Sequence, residues 1–120
     1  MTFGGFNTTI LKKPRKIHWY KSYGDSNQLF IESVRISNTI IDQSNFGLRT
    51  EINLNEEALL VSNRVWSRVE KTLKETNNFL NCNEWKCTYS GNCNDLGLSS
   101  IFITMLDGTQ FEIVKNQYLK

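Results

Sequence analysis

The sequence predicts an α+β domain: a mainly antiparallel sheet of about five to seven strands with one long amphipathic α-helix packed on one face. Three observations predict it. Short runs of β-branched and aromatic residues recur in both halves of the chain, the stretch between them carries a helical period, and Leu106-Asp107-Gly108 separates the last two apolar runs as a hairpin turn would. Apart from the helix, nothing is long enough to cross between parallel strands, so antiparallel neighbours are expected.

The first run, Lys16 to Tyr23, contains Ile17, Trp19, Tyr20 and Tyr23 and ends at Gly24-Asp25-Ser26-Asn27. A second run, Gln28 to Ile36, resumes beyond that polar stretch, so the pair is read as a β-hairpin. Period-two alternation groups Phe30, Val34 and Ile36 on one face against Ile31, Ser33 and Arg35 on the other. Ser37-Asn38 interrupts the pattern, Thr39 to Asp42 restarts it, and Gly47 to Ile52 alternates Leu48, Thr50 and Ile52 with Arg49 and Glu51. These two segments are expected to form a second hairpin.

The helix follows. Asn53 or Asn55 can cap it, and Glu56 and Glu57 fall in its first turn, where the helix dipole favours acids. Ala58, Val61, Val65, Val69, Leu73 and Leu80 form one stripe, with Arg64, Ser67, Glu70, Lys71, Lys74 and Glu75 outside it. Such a stripe predicts about seven turns against a sheet. Leu60 points away from the stripe and is a candidate exposed apolar contact. Asn77-Asn78 and Asn81 end the helix, and Glu84 to Tyr89 then alternates as a strand with Trp85, Cys87 and Tyr89 inward.

The last hairpin has two available registers. A two-residue Asp107-Gly108 turn sets Ile103 opposite Glu112. A longer loop with Gly108 left-handed sets Ile101 opposite Ile113, Ile103 opposite Phe111 and Met105 opposite Thr109. The second unites the apolar residues on one face and is the one expected.

At 120 residues the chain is long enough for a single core without a metal or disulfide staple, and is read as one domain, 1–120, with a basic N-terminal arm, 1–16. Its mean hydropathy of −0.41 and the lack of any apolar run of about 20 residues argue against a membrane span. A start without signal-peptide character and an odd count of three cysteines, Cys82, Cys87 and Cys93, lead to a cytoplasmic reading with reduced thiols, a Cys82–Cys93 disulfide being reserved for an oxidising setting.

Net charge is only +2, but it is unevenly placed: Lys12, Lys13, Arg15, Lys16 and Lys21 precede the first acid. The rest of the chain is therefore net negative.

Catalytic signatures are sparse. His18 is the only histidine, so a thiol nucleophile would depend on its meeting a distant cysteine. The cysteines lack the paired spacing of structural zinc sites, no pair among Asp25, Glu32, Asp42, Glu51 and Glu112 stands out as an acid–base couple, and Gly4-Gly5 lacks the context of a phosphate loop. No catalytic residue, metal ligand or cofactor is assigned. The strongest local pattern is Lys12, Lys13, Arg15 and Lys16 followed by His18, Trp19, Tyr20 and Tyr23. Cations there can steer an anion while rings stack or pack on it, and these eight residues are the candidate binding site.

The expected function is that of a small non-enzymatic binding protein that inhibits a macromolecular partner or sequesters a ligand, the partner being a protein or a small anionic ligand. In size and composition the chain is similar to phage- or mobile-element-encoded inhibitors and to immunity proteins, a likeness that carries over no residues. Single-stranded nucleic-acid binding is the alternative, and a small cysteine or acid–base enzyme a third. More amphipathic rings are present than one helix-on-sheet contact requires, so the sheet face away from the helix is a candidate recognition or homodimer surface.

Overall fold

A computed structural model describes residues 9, 17–24, 27–53, 55, 59–84 and 86–119. Among them the chain forms a four-stranded antiparallel sheet and a separate two-stranded ladder, with one helix of several turns packed at the edge of the sheet. The sheet strands are β1 (Gln28–Ile36), β2 (Thr39–Glu51), β5 (Ile101–Met105) and β6 (Gln110–Ile113), in the order β2-β1-β5-β6. Between β2 and β5 come α1 (Asn63–Thr76) and the small ladder of β3 (Asn81–Cys82) with β4 (Cys87–Thr88). A one-turn helix, α2 (Lys115–Tyr118), closes the chain.

The first expected hairpin is not formed. β1 lies between β2 and β5, so both of its hydrogen-bonding edges are taken along most of its length, and residues 17–22 have no strand to join. Only Tyr23 reaches the sheet, through one bridge to Gln28, with its N–H donating to the Gln28 carbonyl at 3.0 Å. The turn of the real hairpin is Ser37-Asn38, with Ser37 at φ 53°.

The second expected hairpin is one strand instead. Residues 39–51 run as β2 along β1, and two irregularities absorb the excess length. Ile41 is extra where Asp42 faces Val34 and Ile40 faces Arg35. Four residues, Ser44 to Gly47, stand against the single Glu32 between the Gln43–Ser33 and Leu48–Ile31 pairs. Gly47 takes φ 92° at that corner, and a Cβ there would lie 2.9 Å from Phe30 Cβ, so the tight packing requires glycine.

A bulge in β1 also changes which residues share a face. Ile31 pairs with Met105, Val34 with Ile103 and Ile36 with Ile101, while Ser33 pairs with Thr104 and Arg35 with Phe102. Directly opposed residues share a face, so Ile31 joins Val34 and Ile36, and Phe30 turns to the side of Ser33 and Arg35. The alternation expected from the sequence is thereby reversed for Phe30 and Ile31. Ile31, Ile36 and Met105 form the buried part of the inner face, joined by Ile41 and Leu96. Ile41, with no exposed surface, is the centre of this small core.

The helix is shorter than its sequence pattern. Ser62 caps it, its hydroxyl accepting from Val65 N–H at 3.4 Å, so the helix spans 14 residues, about 21 Å, rather than seven turns from Asn53 or Asn55. Leu59, Leu60 and Val61 precede the cap and are exposed, and Ala58 lies outside the described residues. Val65, Val69 and Leu73 are half-buried as the stripe requires, and Thr72 is buried beside them. The expected end is met at Asn77, whose amide donates to Leu73 O at 3.3 Å while its oxygen accepts from Gly97 N–H at 3.1 Å. Arg64 and Arg68 tie the helix to β2. They approach Asp42 at 3.2 Å and 3.6 Å, and Arg68 also donates to the Ile41 carbonyl at 2.8 Å.

The expected strand over 84–89 contracts to β4, with Cys87 and Tyr89 half-buried and Trp85 outside the described residues. Cys82 and Cys87 face each other across β3 and β4 and form a disulfide, while Cys93 is free and exposed. Neither the reduced set nor the Cys82–Cys93 pairing is what the fold contains.

The last hairpin has the expected register. Ile101 faces Ile113, Ile103 faces Phe111, and Met105 N–H donates to Thr109 O at 2.8 Å around Gly108 at φ 85°.

Candidate functional site

Residues 17–23 run beside the end of the sheet where β1 begins and β5 turns into β6. His18 and Tyr20 stack with centroids 6.4 Å apart, and both meet the edge of Phe111, at 6.2 Å and 6.4 Å. Phe111 belongs to the inner face through its pairing with Ile103 and Val34, so these rings continue the core toward that end. Tyr23 instead packs edge-on against Phe30 at 4.8 Å, with the Lys21 ammonium 6.0 Å from its ring centre.

A cleft of about 270 Å³ opens between the segment and the sheet, with Trp19, Tyr20 and Tyr23 on one side and Leu29, Met105 and Leu106 on the other. Lys21 and Asp107 are its charged rim. Its walls are apolar yet reach solvent: Trp19 is 80% exposed, Leu106 52% and Tyr23 46%. A larger hollow along α1 is walled by Ser67, Glu70, Lys71, Lys74, Glu75 and Asn78, whose charges pair along the helix as a solvated face does.

Asp107 is held below the ordinary aspartate pKa, first by the Thr109 backbone N–H, which donates to it at 2.9 Å, and next by the Thr109 hydroxyl. Desolvation opposes this, and the Tyr20 hydroxyl and the His18 ring add lesser lowering contributions. The Tyr20 oxygen is shielded from solvent without a hydrogen bond of good geometry among the described residues, so its pull on Asp107 is that of a nearby dipole. An ionised carboxylate thus stands at the rim of the cleft beside exposed rings.

Of the eight residues singled out in the sequence, Lys12, Lys13, Arg15 and Lys16 lie outside the described residues. The other four are described: His18 and Tyr20 are brought together, while Trp19 and Tyr23 line the same cleft. Missed from the sequence were Phe111, Leu29, Phe30, Met105, Leu106 and Asp107. The Leu106-Asp107-Gly108 turn marked their hairpin, but nothing local connects that turn to the segment at 17–23.

Two thiols are joined to each other, and the ring contacts of His18 are with Tyr20 and Phe111. Asp42 is occupied by two arginines, and Glu112 accepts from the Ser100 hydroxyl at 2.6 Å. Among the described residues no three His, Cys, Asp or Glu side chains cluster as metal ligands would, and no helix is long and apolar enough to cross a membrane. No family model, curated protein or solved structure matches this chain.

Proposed function

We propose that this is a non-enzymatic binding protein whose cleft at Trp19, Tyr23 and Leu106 receives an apolar or aromatic element of a protein partner, blocking or sequestering it. The observation that carries this reading is the exposure of three large apolar side chains around one concave feature. Scattered exposed apolar residues are ordinary, whereas a cluster around a cleft is what a binding site needs. Trp and Tyr are also the residue types that most often dominate binding energy. In this reading the bases at 12–16 steer an acidic partner surface, while the rings supply the affinity.

A test is affinity isolation from cells that express the protein naturally, comparing the wild type with Trp19→Ser/Leu106→Ser and with Phe46→Ser. Phe46 is a control because it is 95% exposed on the Ser44–Gly47 excursion. The proposal expects a partner retained by the wild type and the control and lost from the cleft variant. Equal recovery by all three would overturn it. The nucleic-acid alternative keeps one favourable observation, the Lys21–Tyr23 pair beside the basic segment. It predicts binding to single strands that weakens steeply with salt, and a flat salt response would remove it.

A cytoplasmic setting is part of the proposal, and the Cys82–Cys87 bridge tests it. Reducing compartments keep such pairs open. Protein alkylated at the moment of cell lysis should then take three labels, whereas one label at Cys93 would place it in an oxidising compartment.

A further inference from the structure

Across the outer face of the sheet runs a row of side chains with a particular order of charge. Cross-strand partners share a face, so the register aligns Ile40, Arg35, Phe102 and Glu112 over β2, β1, β5 and β6. This face is opposite the one that carries Ile31, Ile36 and Met105, and opposite Asp42, where α1 is anchored. The Arg35 guanidinium sits 5.3 Å from the Phe102 ring centre, and Glu112 is exposed on the ring's other side. Among the described residues Arg35 has no acid within ion-pair distance.

We propose that this face is a two-fold interface with a second copy of the chain. Place the axis along β5 over Phe102: rotation lays each copy's β1 above the other's β6. Phe102 then meets the partner's Phe102, and each Arg35 faces the partner's Glu112. Facing sheets stand about 10 Å apart, a gap that long side chains from both layers fill. The alternative two-fold axis, across the strands, would set Arg35 over Arg35 and Glu112 over Glu112, and like charges in contact are unfavourable. The charge order therefore selects both the occupant and the axis, as an isologous contact requires.

The three strands that overlap, β1, β5 and β6, about 4.8 Å apart and some five residues long at about 3.3 Å each, give a footprint near 240 Å² per copy. That is small for a specific interface, so the dimer is a weak one that depends on concentration. The cleft opens at the Leu29–Phe30 end of β1, five residues along the strand from Arg35, so a dimer centred on Phe102 does not use its lining residues.

Sedimentation equilibrium of the full chain, up to about 1 mM, tests this. The mass should rise from 13.9 kDa toward twice that value. Glu112→Arg should weaken association by about tenfold or more, and the swap Arg35→Glu/Glu112→Arg should restore it to within about threefold of the wild type. Circular dichroism checks that each variant folds, with Glu112→Gln replacing Glu112→Arg if the latter does not. A mass that stays at 13.9 kDa throughout, association indifferent to the Glu112 substitution, or a folded swap that fails to restore it would each overturn the proposal.

Discussion

Replacing Gly47 by alanine should be among the most damaging single-atom additions in this protein. Two costs combine. At φ 92° an L-residue is strained by about 1–2 kcal/mol. The added Cβ would also lie 2.9 Å from Phe30 Cβ and 3.0 Å from its Cδ1, and relieving such an overlap costs about 1–3 kcal/mol. Phe30 Cβ is fixed to the β1 backbone, so it cannot swing aside as the end of a flexible side chain would. The expected loss is about 2–5 kcal/mol, a large part of the stability of a small domain. Gly108→Ala is the internal control, because its φ is 85° but no atom lies within 4 Å of its Cβ position. Urea unfolding, with a slope of about 2 kcal/mol per M, should show midpoints lower by about 1–2.5 M for Gly47→Ala and about 0.5–1 M for Gly108→Ala. Midpoints within about 0.3 M of each other would refute the close contact between the β2 excursion and Phe30.

Three further predictions follow from the same structure. Ser62→Ala should cost about 1 kcal/mol in chemical unfolding, and Asn53→Ala less, because the helix cap is at Ser62 while the Asn53 oxygen accepts only from Asn55 N–H in an exposed local turn; the reverse order would restore the longer helix. The Cys82–Cys87 bridge, closing a loop with a sequence separation of 5, should stabilise its ladder by about 2 kcal/mol, and thiol counting should give one label on purified air-oxidised protein and three after reduction. Burial raises the Tyr118 pKa above the ordinary value of 10.0, and its hydroxyl donates to Ser99 O at 2.6 Å. The folded state therefore favours the neutral phenol: this contribution is intact below about pH 10 and is lost as pH rises toward the folded pKa. Tyr118→Phe should lower stability by about 1 kcal/mol at neutral pH and flatten this alkaline fall, and an unchanged alkaline profile would contradict the assignment.

How legible each element was depended on how local its determinants are. The β5–β6 register could be read because one pairing alone gathers Ile101, Ile103 and Met105 with Ile113 and Phe111, and Gly108 supplies the turn that pairing needs. The segment at 16–23 has the composition of a strand, yet whether it pairs is decided by β2 and β5, which occupy the edges of β1. The bulge that turns Ile31 inward and Phe30 outward likewise depends on two neighbouring strands at once. Asn53, Asn55 and Ser62 are all good caps, and the tie of Arg64 and Arg68 to Asp42 and Ile41 fits the latest start. At the cleft, the rings of 18–23 stood out in the sequence, but their partners Phe111, Met105 and Asp107 come from the far end of the chain.

If the cleft at Trp19 receives the partner, as proposed, position 19 is where the two chains touch. A photo-crosslinking residue placed at position 19, and separately at positions 46 and 79, compares three highly exposed aromatic sites, since Phe46 is 95% and Phe79 82% exposed. Illumination in the native cells should give a discrete crosslinked species from position 19 and none from positions 46 and 79. A species from position 46 or 79 with none from position 19 would contradict the claim.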